Sequence, residues 1–215
     1  MKHAVILANG DFPSHPYPLD VLQSASFRVC CDGATEALIT AQLEPHIIIG
    51  DLDSIPDAIR EKYADRVIHD PDQETNDLTK AVNMCRKRGF QSLTILGATG
   101  KREDHTLGNI GLLARYAREG DIEMVTDHGV FVVIHNNGTL ATSPGQQLSF
   151  FNVTKGVPVT ISNVKYPVDN LILDEIWQGT LNEATSDSIT ITAPNATLIV
   201  FLLYPDENQV TNATP

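Results

Sequence analysis

Acidic side chains gather where short apolar runs end. Asp51 and Asp53 stand two residues apart in Gly50-Asp51-Leu52-Asp53-Ser54. An extended backbone turns both to the same side. Two hard anionic oxygens on one face suit Mg²⁺ held together with substrate phosphates. Asp32 follows another apolar run in Asp32-Gly33-Ala34, and Asp77 closes the polar stretch that begins at Asp70. Any one of these acids serves equally well as a helix cap or turn residue. Their convergence on one rim has no such explanation, because clustered carboxylates repel one another unless a cation is present. A basic segment complements them: Gly97-Ala98-Thr99-Gly100-Lys101-Arg102 puts a pliable backbone and two cations just before a helix. Free N–H groups at a helix start favour phosphate, and a guanidinium forks across two of its oxygens. The spacing is not that of a Walker loop, and no Gly-x-Gly-x-x-Gly follows the first apolar run, so a dinucleotide fold is disfavoured.

These residues need a scaffold that brings several chain segments to one rim, and the pattern of the first ~135 residues supplies it. Short apolar runs at Ala4–Ala8, Phe27–Cys31, Ile47–Gly50, Arg66–His69, Leu93–Leu96, Glu123–Thr126 and Val130–Ile134 read as strands. Helical patterns fall between them near Ala34–Ala41, Asp57–Tyr63, Asp77–Arg88 and Thr106–Arg118. In the last, Leu107, Ile110, Leu113, Ala114 and Ala117 recur at three- and four-residue steps, which predicts one buried face. Alternating strand and helix predicts a parallel α/β sheet, with the loops after its strands on one rim.

From Asn136 onward the pattern changes. Runs rich in Val, Ile, Thr and Phe at Gln147–Val153, Val157–Ser162, Leu171–Leu173, Ser188–Thr192 and Thr197–Leu203 alternate with Gly, Pro and Asn. Residues 136–215 hold Lys155 and Lys165, no Arg and seven acids. The expectation is α/β plus all-β: an open, mostly parallel α/β domain over residues 1–135, then a small antiparallel β-sandwich over 136–215. Asn136-Asn137-Gly138 marks the expected boundary, and the tail after Tyr204 reads as frayed.

Across the 215 residues, 15 Lys and Arg face 27 Asp and Glu, a formal charge of −12. Such a surface argues against nucleic acid and anionic lipid as partners, and small anions enter best with Mg²⁺. No apolar run approaches the ~20 residues of a membrane span. Cys30, Cys31 and Cys85 lack metal or redox spacing and read as reduced core thiols, which with the absence of a signal-like start predicts a cytoplasmic protein.

At these residues the sequence resembles the thiamine pyrophosphokinases (thiamine diphosphokinases). The matching blocks are Asp32-Gly33-Ala34, Gly50 through Ser54, Asp72-Gln73-Glu74-Thr75-Asn76-Asp77-Leu78-Thr79-Lys80, and Gly97 through Asn109 around Arg102-Glu103-Asp104-His105. A fifth lies in the β half: Asn163 through Val168, followed by Gly179-Thr180-Leu181-Asn182-Glu183. Many family members have Ser where this chain has Leu181.

The resemblance implies that the hydroxyl of thiamine attacks the β-phosphorus of ATP, a diphosphoryl group moves, and AMP leaves. Carried over residue by residue, Asp51, Asp53 and Asp77 would hold Mg²⁺. Asp104 would join this catalytic cluster, as a ligand or as acceptor of the hydroxyl proton. Arg102 and Lys80 would neutralise the phosphates, with Asn9, Gly10, Asp32, Gln73, Thr99, Gly100 and His105 completing the ATP site. Tyr166, Trp177, Thr180 and Asn182 would meet thiamine. The two aromatics are read either as stacking partners of its flat, cationic rings or as ordinary packed aromatics. The family resemblance also implies a homodimer with shared active sites. Two other readings stand beside it: a related pyrophosphokinase acting on a pterin alcohol, and a non-catalytic nucleotide-binding regulatory module.

Overall fold

The computed structural model describes residues 1–205. The tail expected to fray lies mostly outside them. The chain divides into two compact units, Met1–Asp127 and the residues from His128 onward.

In the first unit, six parallel strands take the order β6-β5-β1-β2-β3-β4. They are β1 (His3–Leu7), β2 (Arg28–Cys31), β3 (Ile47–Gly50), β4 (Val67–His69), β5 (Ser92–Leu96) and β6 (Asp121–Val125). The central strands are apolar without alternation because both faces are covered: Ala4, Val5, Ile6, Val29, Cys30, Ile48, Ile95 and Leu96 are all within 1% of full burial. All three cysteines are buried free thiols.

Five helices connect these strands: α1 (Pro16–Ser24), α2 (Thr35–Thr40), α3 (Asp57–Lys62), α4 (Asp77–Lys87) and α5 (Glu103–Tyr116). Helix α1 was not expected from sequence. Its signals are proline in the first turn, the His15 ring accepting from the Tyr17 N–H, and the inward pair Pro18 and Leu22. Helix α5 begins three residues earlier than expected and buries less. Leu113 and Ala114 face inward, but Leu107 is 63% exposed. Its apolar periodicity therefore overstates the buried face.

The second unit is built on two long strands, β7 (Gly129–Ala141) and β12 (Ser188–Leu203), paired antiparallel along their lengths. One end of β12 also pairs with β9 (Pro158–Ser162), which carries β10 (Val168–Ile172). The other end pairs with β8 (Gln147–Asn152), which carries the two-residue β11 (Asn182–Glu183). Leu148 and Phe150 of β8 share a core with Val159 and Ile161 of β9 and Ile189, Ile191, Leu198 and Val200 of β12. The two halves thus close on one apolar interior, as in the expected sandwich.

The sequence-based boundary at Asn136 differs from the structural division at 127/128. Val130–Ile134 is the first half of β7, not a last α/β strand. Asn136-Asn137-Gly138 is a corner inside β7. Asn136 has φ 65°, and the register of β12 shifts opposite it between Thr192 and Thr197. The Asn136 and Asn137 side chains accept from the Asn195 and Ala193 N–H groups in the bulged stretch. For the same reason, the two runs expected at Ser188–Thr192 and Thr197–Leu203 are one bent strand.

Candidate active site

In the first unit β1 pairs with β2 on one side and β5 on the other, so the strand order reverses at β1. Open α/β sheets bind ligands outside the strand ends at such a point. A cleft of about 420 Å³ lies there.

One wall is two loops laced together by backbone bonds. Ala8 N–H donates to the Leu96 carbonyl at 2.8 Å, Gly10 to Gly97 at 2.6 Å, and Asp11 to Thr99 at 2.8 Å. Position 10 admits no side chain, since a Cβ there would lie 2.2 Å from the Thr99 oxygen. The Asp127 carboxylate anchors the far end of the first loop by accepting from the Ser14 and His15 N–H groups at 2.9 and 3.1 Å.

The floor is acidic. Strands β2 and β3 are neighbours with Cys31 opposite Ile49, so Asp32 and Asp51 emerge side by side. Ligating oxygens of Asp32, Asp51 and Asp53 come within 4.8 Å of one another. Asp32 is buried, and its two oxygens accept from the Gly33 N–H at 2.6 Å and the Leu52 N–H at 2.8 Å. Residue 50 must be glycine, because a Cβ there would lie 2.5 Å from the Asp32 carboxyl carbon. Burial, then the charge of Asp77, push the Asp32 carboxyl above its ordinary range despite those two N–H donors. Asp51 shifts the opposite way, chiefly because the Gln73 amide donates to it at 3.1 Å. Asp53 accepts from the Ser54 hydroxyl at 2.8 Å. Three hard oxygens converging, one of them destabilised by like charge, fit a divalent cation of the Mg²⁺ type.

Asp77, expected as the third ligand, lines the same cleft but is ion-paired with Lys80, Nζ to Oδ1 at 2.9 Å. The carboxylate trio contains Asp32 in its place. Helix α4 is capped by Asn76, whose side chain accepts from Thr79 N–H at 2.9 Å, so Asp77 sits one residue inside the helix. Burial works against the charge on Lys80. Asp77 with Asp51 and Asp70 outweighs it, and the ammonium is held above its usual range.

On the opposite side Arg102 forks onto Asp104, with Nε to Oδ1 at 3.0 Å and Nη2 on the other oxygen. That guanidinium, first among the causes, lowers Asp104 to about 2. Asn9, Gly10, Gln73, Gly100 and His105 line the cleft as expected, whereas Thr99 contributes its carbonyl to the laced wall. Asn76 and Asn109 also line it, as does Lys101, one of the two cations of the basic segment. Asn109 donates to the Ala98 carbonyl at 2.9 Å and accepts from the Asn76 amide at 3.1 Å. Its place on α5 one turn after His105 was the available signal.

In the second unit Tyr166 is 61% and Trp177 69% exposed, so neither is a core aromatic. The Thr180 hydroxyl donates to the Trp177 carbonyl at 2.7 Å and closes the turn between them. Asn182 is buried, and its amide is engaged with the backbone of Tyr166. Leu181 is 81% exposed with φ 60°.

Two family models match in order. The thiamin pyrophosphokinase catalytic domain covers residues 19–126, and the thiamin pyrophosphokinase substrate-binding domain covers 129–201. Thiamin pyrophosphokinase 1 of Caenorhabditis elegans is 30% identical over 181 residues, 77% of this chain and 74% of that protein. Thiamine pyrophosphokinase 1 of Oryza sativa subsp. japonica is 29% identical over 156 residues, 61% of this chain and 58% of that protein. The crystal structure of thiamine pyrophosphokinase from Bacillus subtilis shares the fold, with TM-score 0.79 at 20% identity over 95% of this chain and 100% of that one. Neither the pterin-alcohol reading nor the non-catalytic module gains support from these matches. The chain belongs to the thiamin pyrophosphokinase family.

Proposed function

We propose that this family member transfers the diphosphoryl group of ATP to the hydroxyl of thiamine, giving thiamine diphosphate and AMP. The observation that carries the reading is the cleft itself. A carboxylate trio, Asp32, Asp51 and Asp53, shares the first unit's strand-end rim with two paired cations, Lys80 and Arg102.

Asp51 and Asp53 would hold Mg²⁺, with Asp32 beside them and Asp77 within the same cleft. The cation would neutralise charge on the polyphosphate and fix its geometry. Lys80 and Arg102 face the same phosphates, and such preorganised charge is the main catalytic lever in phosphoryl-type transfer. Asp104 is gripped by the Arg102 fork at both its oxygens, and we assign it to orient that guanidinium rather than to take the hydroxyl proton. Asn9, Gly10, Gln73, Gly100 and His105 shape the nucleotide pocket. Tyr166 and Trp177, presented to solvent, offer ring faces to the thiazolium and pyrimidine. Thr180 and Asn182 hold the backbones on which those rings ride.

We further propose a homodimer in which the second unit of one chain serves the cleft of its partner, and a cytoplasmic location. No helix among the described residues is long and apolar enough to cross a membrane. Purified protein with ATP, Mg²⁺ and thiamine tests the activity. Thiamine diphosphate and AMP should appear in equal amounts, and thiamine monophosphate with ADP would overturn the reading.

A further inference from the structure

We infer that Lys101 is an additional phosphate-contacting residue of the cleft, parked on Asn9 until a polyphosphate arrives. The inference rests on the reading of the cleft as the ATP site.

The backbone is the first observation. Lys101 has φ 56° and follows Gly100 at φ 78°. An L-residue in this region brings its Cβ against the neighbouring carbonyl, a conflict that glycine avoids. The strained backbone closes the turn into α5, with the Arg102 N–H donating to the Gly100 carbonyl at 2.7 Å, a bond that glycine at 101 would allow without strain. The side chain is exposed, and its one hydrogen bond runs from Nζ to the neutral Asn9 Oδ1 at 2.9 Å. The strained backbone does, however, hold an ammonium on the wall of the cleft.

The second observation is how the cleft's cations are engaged. Lys80 is paired with Asp77 and Arg102 with Asp104. Either must loosen an ion pair to take a phosphate oxygen fully. Among the described residues, no carboxylate pairs with Lys101. It gives up a bond to a neutral amide and leaves no carboxylate without its partner. The placement also answers an electrostatic problem. A chain of charge −12 lines this cleft with Asp32, Asp51 and Asp77, which repel an approaching polyphosphate. An exposed cation on the rim offsets that repulsion during the approach.

The simpler alternative is that Lys101 only clasps the two loops through Asn9. Calorimetric titration with ATP and Mg²⁺, thiamine omitted, separates the two, with adenosine as the phosphate-free control. Lys101→Gly relieves the left-handed strain and removes the charge. Lys101→Gln keeps an N–H donor for Asn9 without the charge, and Lys101→Arg keeps the charge. We expect Lys101→Gly to melt at or a few degrees above wild type, roughly 2–4 °C for one strained residue in a protein this size. Both neutral variants should bind ATP about tenfold or more weakly, the low end for a charge-assisted hydrogen bond. Lys101→Arg should stay close to wild type, and adenosine should bind all four proteins alike. Wild-type ATP affinity in both neutral variants would overturn the inference, as would a loss confined to Lys101→Gly. Wild-type protein that binds no ATP would instead overturn the underlying reading of the cleft, and this inference with it.

Discussion

Asn182 grips the backbone of Tyr166 at both its polar groups. Its Oδ1 accepts from the Tyr166 N–H at 3.1 Å, and its Nδ2 donates to the Tyr166 carbonyl at 2.9 Å. The same Oδ1 also accepts from the Glu183 N–H at 2.9 Å. The side chain resembles a strand segment in cross-section, tying an exposed aromatic to a buried post.

Asn182→Ala removes the three hydrogen bonds of a buried side chain, a loss of about 1–3 kcal/mol by urea unfolding. Asn182→Asp keeps the acceptor and loses the donor, so it should fall between. If Tyr166 meets thiamine, both variants raise KM for thiamine more than they lower kcat, and leave KM for ATP unchanged. Equal changes in both KM values would disprove this positioning role.

Arg102 and Asp104 make the second prediction. An ammonium cannot reproduce the guanidinium fork, so Arg102→Lys should lower kcat by roughly tenfold to a hundredfold, with the fold intact by circular dichroism. Asp104 has its folded pKa depressed to about 2, so its ionised form persists down to strongly acid conditions. The acid limb of kcat/KM between pH 5 and 7 should therefore be the same in Asp104→Asn as in wild type, even as the overall rate falls (the window follows from the depressed pKa). A limb that disappears in the variant would make Asp104 the titrating group.

The carboxylate trio links metal to stability. Asp32 has a raised folded pKa, so its contribution favours folding below about pH 4 and is lost as pH rises through the raised value. At neutral pH the metal-free protein therefore carries the cost of a buried charge on Asp32, together with its repulsion by Asp77 and Asp51. Saturating Mg²⁺ should raise the melting temperature at pH 7 and have little effect near pH 3.5, by differential scanning fluorimetry. Asp51→Asn should abolish the Mg²⁺ response and reduce turnover by at least about a hundredfold. A Mg²⁺ response retained in that variant would remove Asp51 from the ligand set.

Shared sites predict complementation. Asp51→Asn and Tyr166→Ala are each expected to be inactive as homodimers. After mixing and demonstrated subunit exchange, half the dimers would be mixed and carry one intact site, restoring up to about a quarter of wild-type activity. No recovery would mean that each chain completes its own site.

Much of the first unit was readable because its central strands are buried on both faces and alternate with helices. Ile47–Gly50 came out with the expected limits. Which strands are neighbours was less legible, and that adjacency decides which acids meet. Asp32 and Asp51 lie 19 positions apart in sequence, and the pairing of Cys31 with Ile49 brings them together. Asp77 looked equivalent in sequence, but its helical position turns it toward Lys80 three residues on. In the second unit the turn-like triplet at Asn136 misled because asparagine favours a left-handed corner equally in a loop and within a bent strand. Exposure was the other hidden variable. Leu107 fits the apolar period of α5, yet it is exposed, and His105 and Asn109 of the helix's first turns line the cleft instead.

Strand β12 pairs with β7, β8 and β9, and it is the last strand of the described chain. On the ribosome the first unit can close once β6 has emerged. The second cannot, because β8 and β9 have no shared partner until residues 188–203 arrive. The nascent chain therefore carries a finished catalytic half beside an unpaired β half until synthesis has passed Leu203. Because each half of the sandwich is built on the same strand, neither can open alone. Amides along both ends of β12 should exchange with solvent as one cooperative unit.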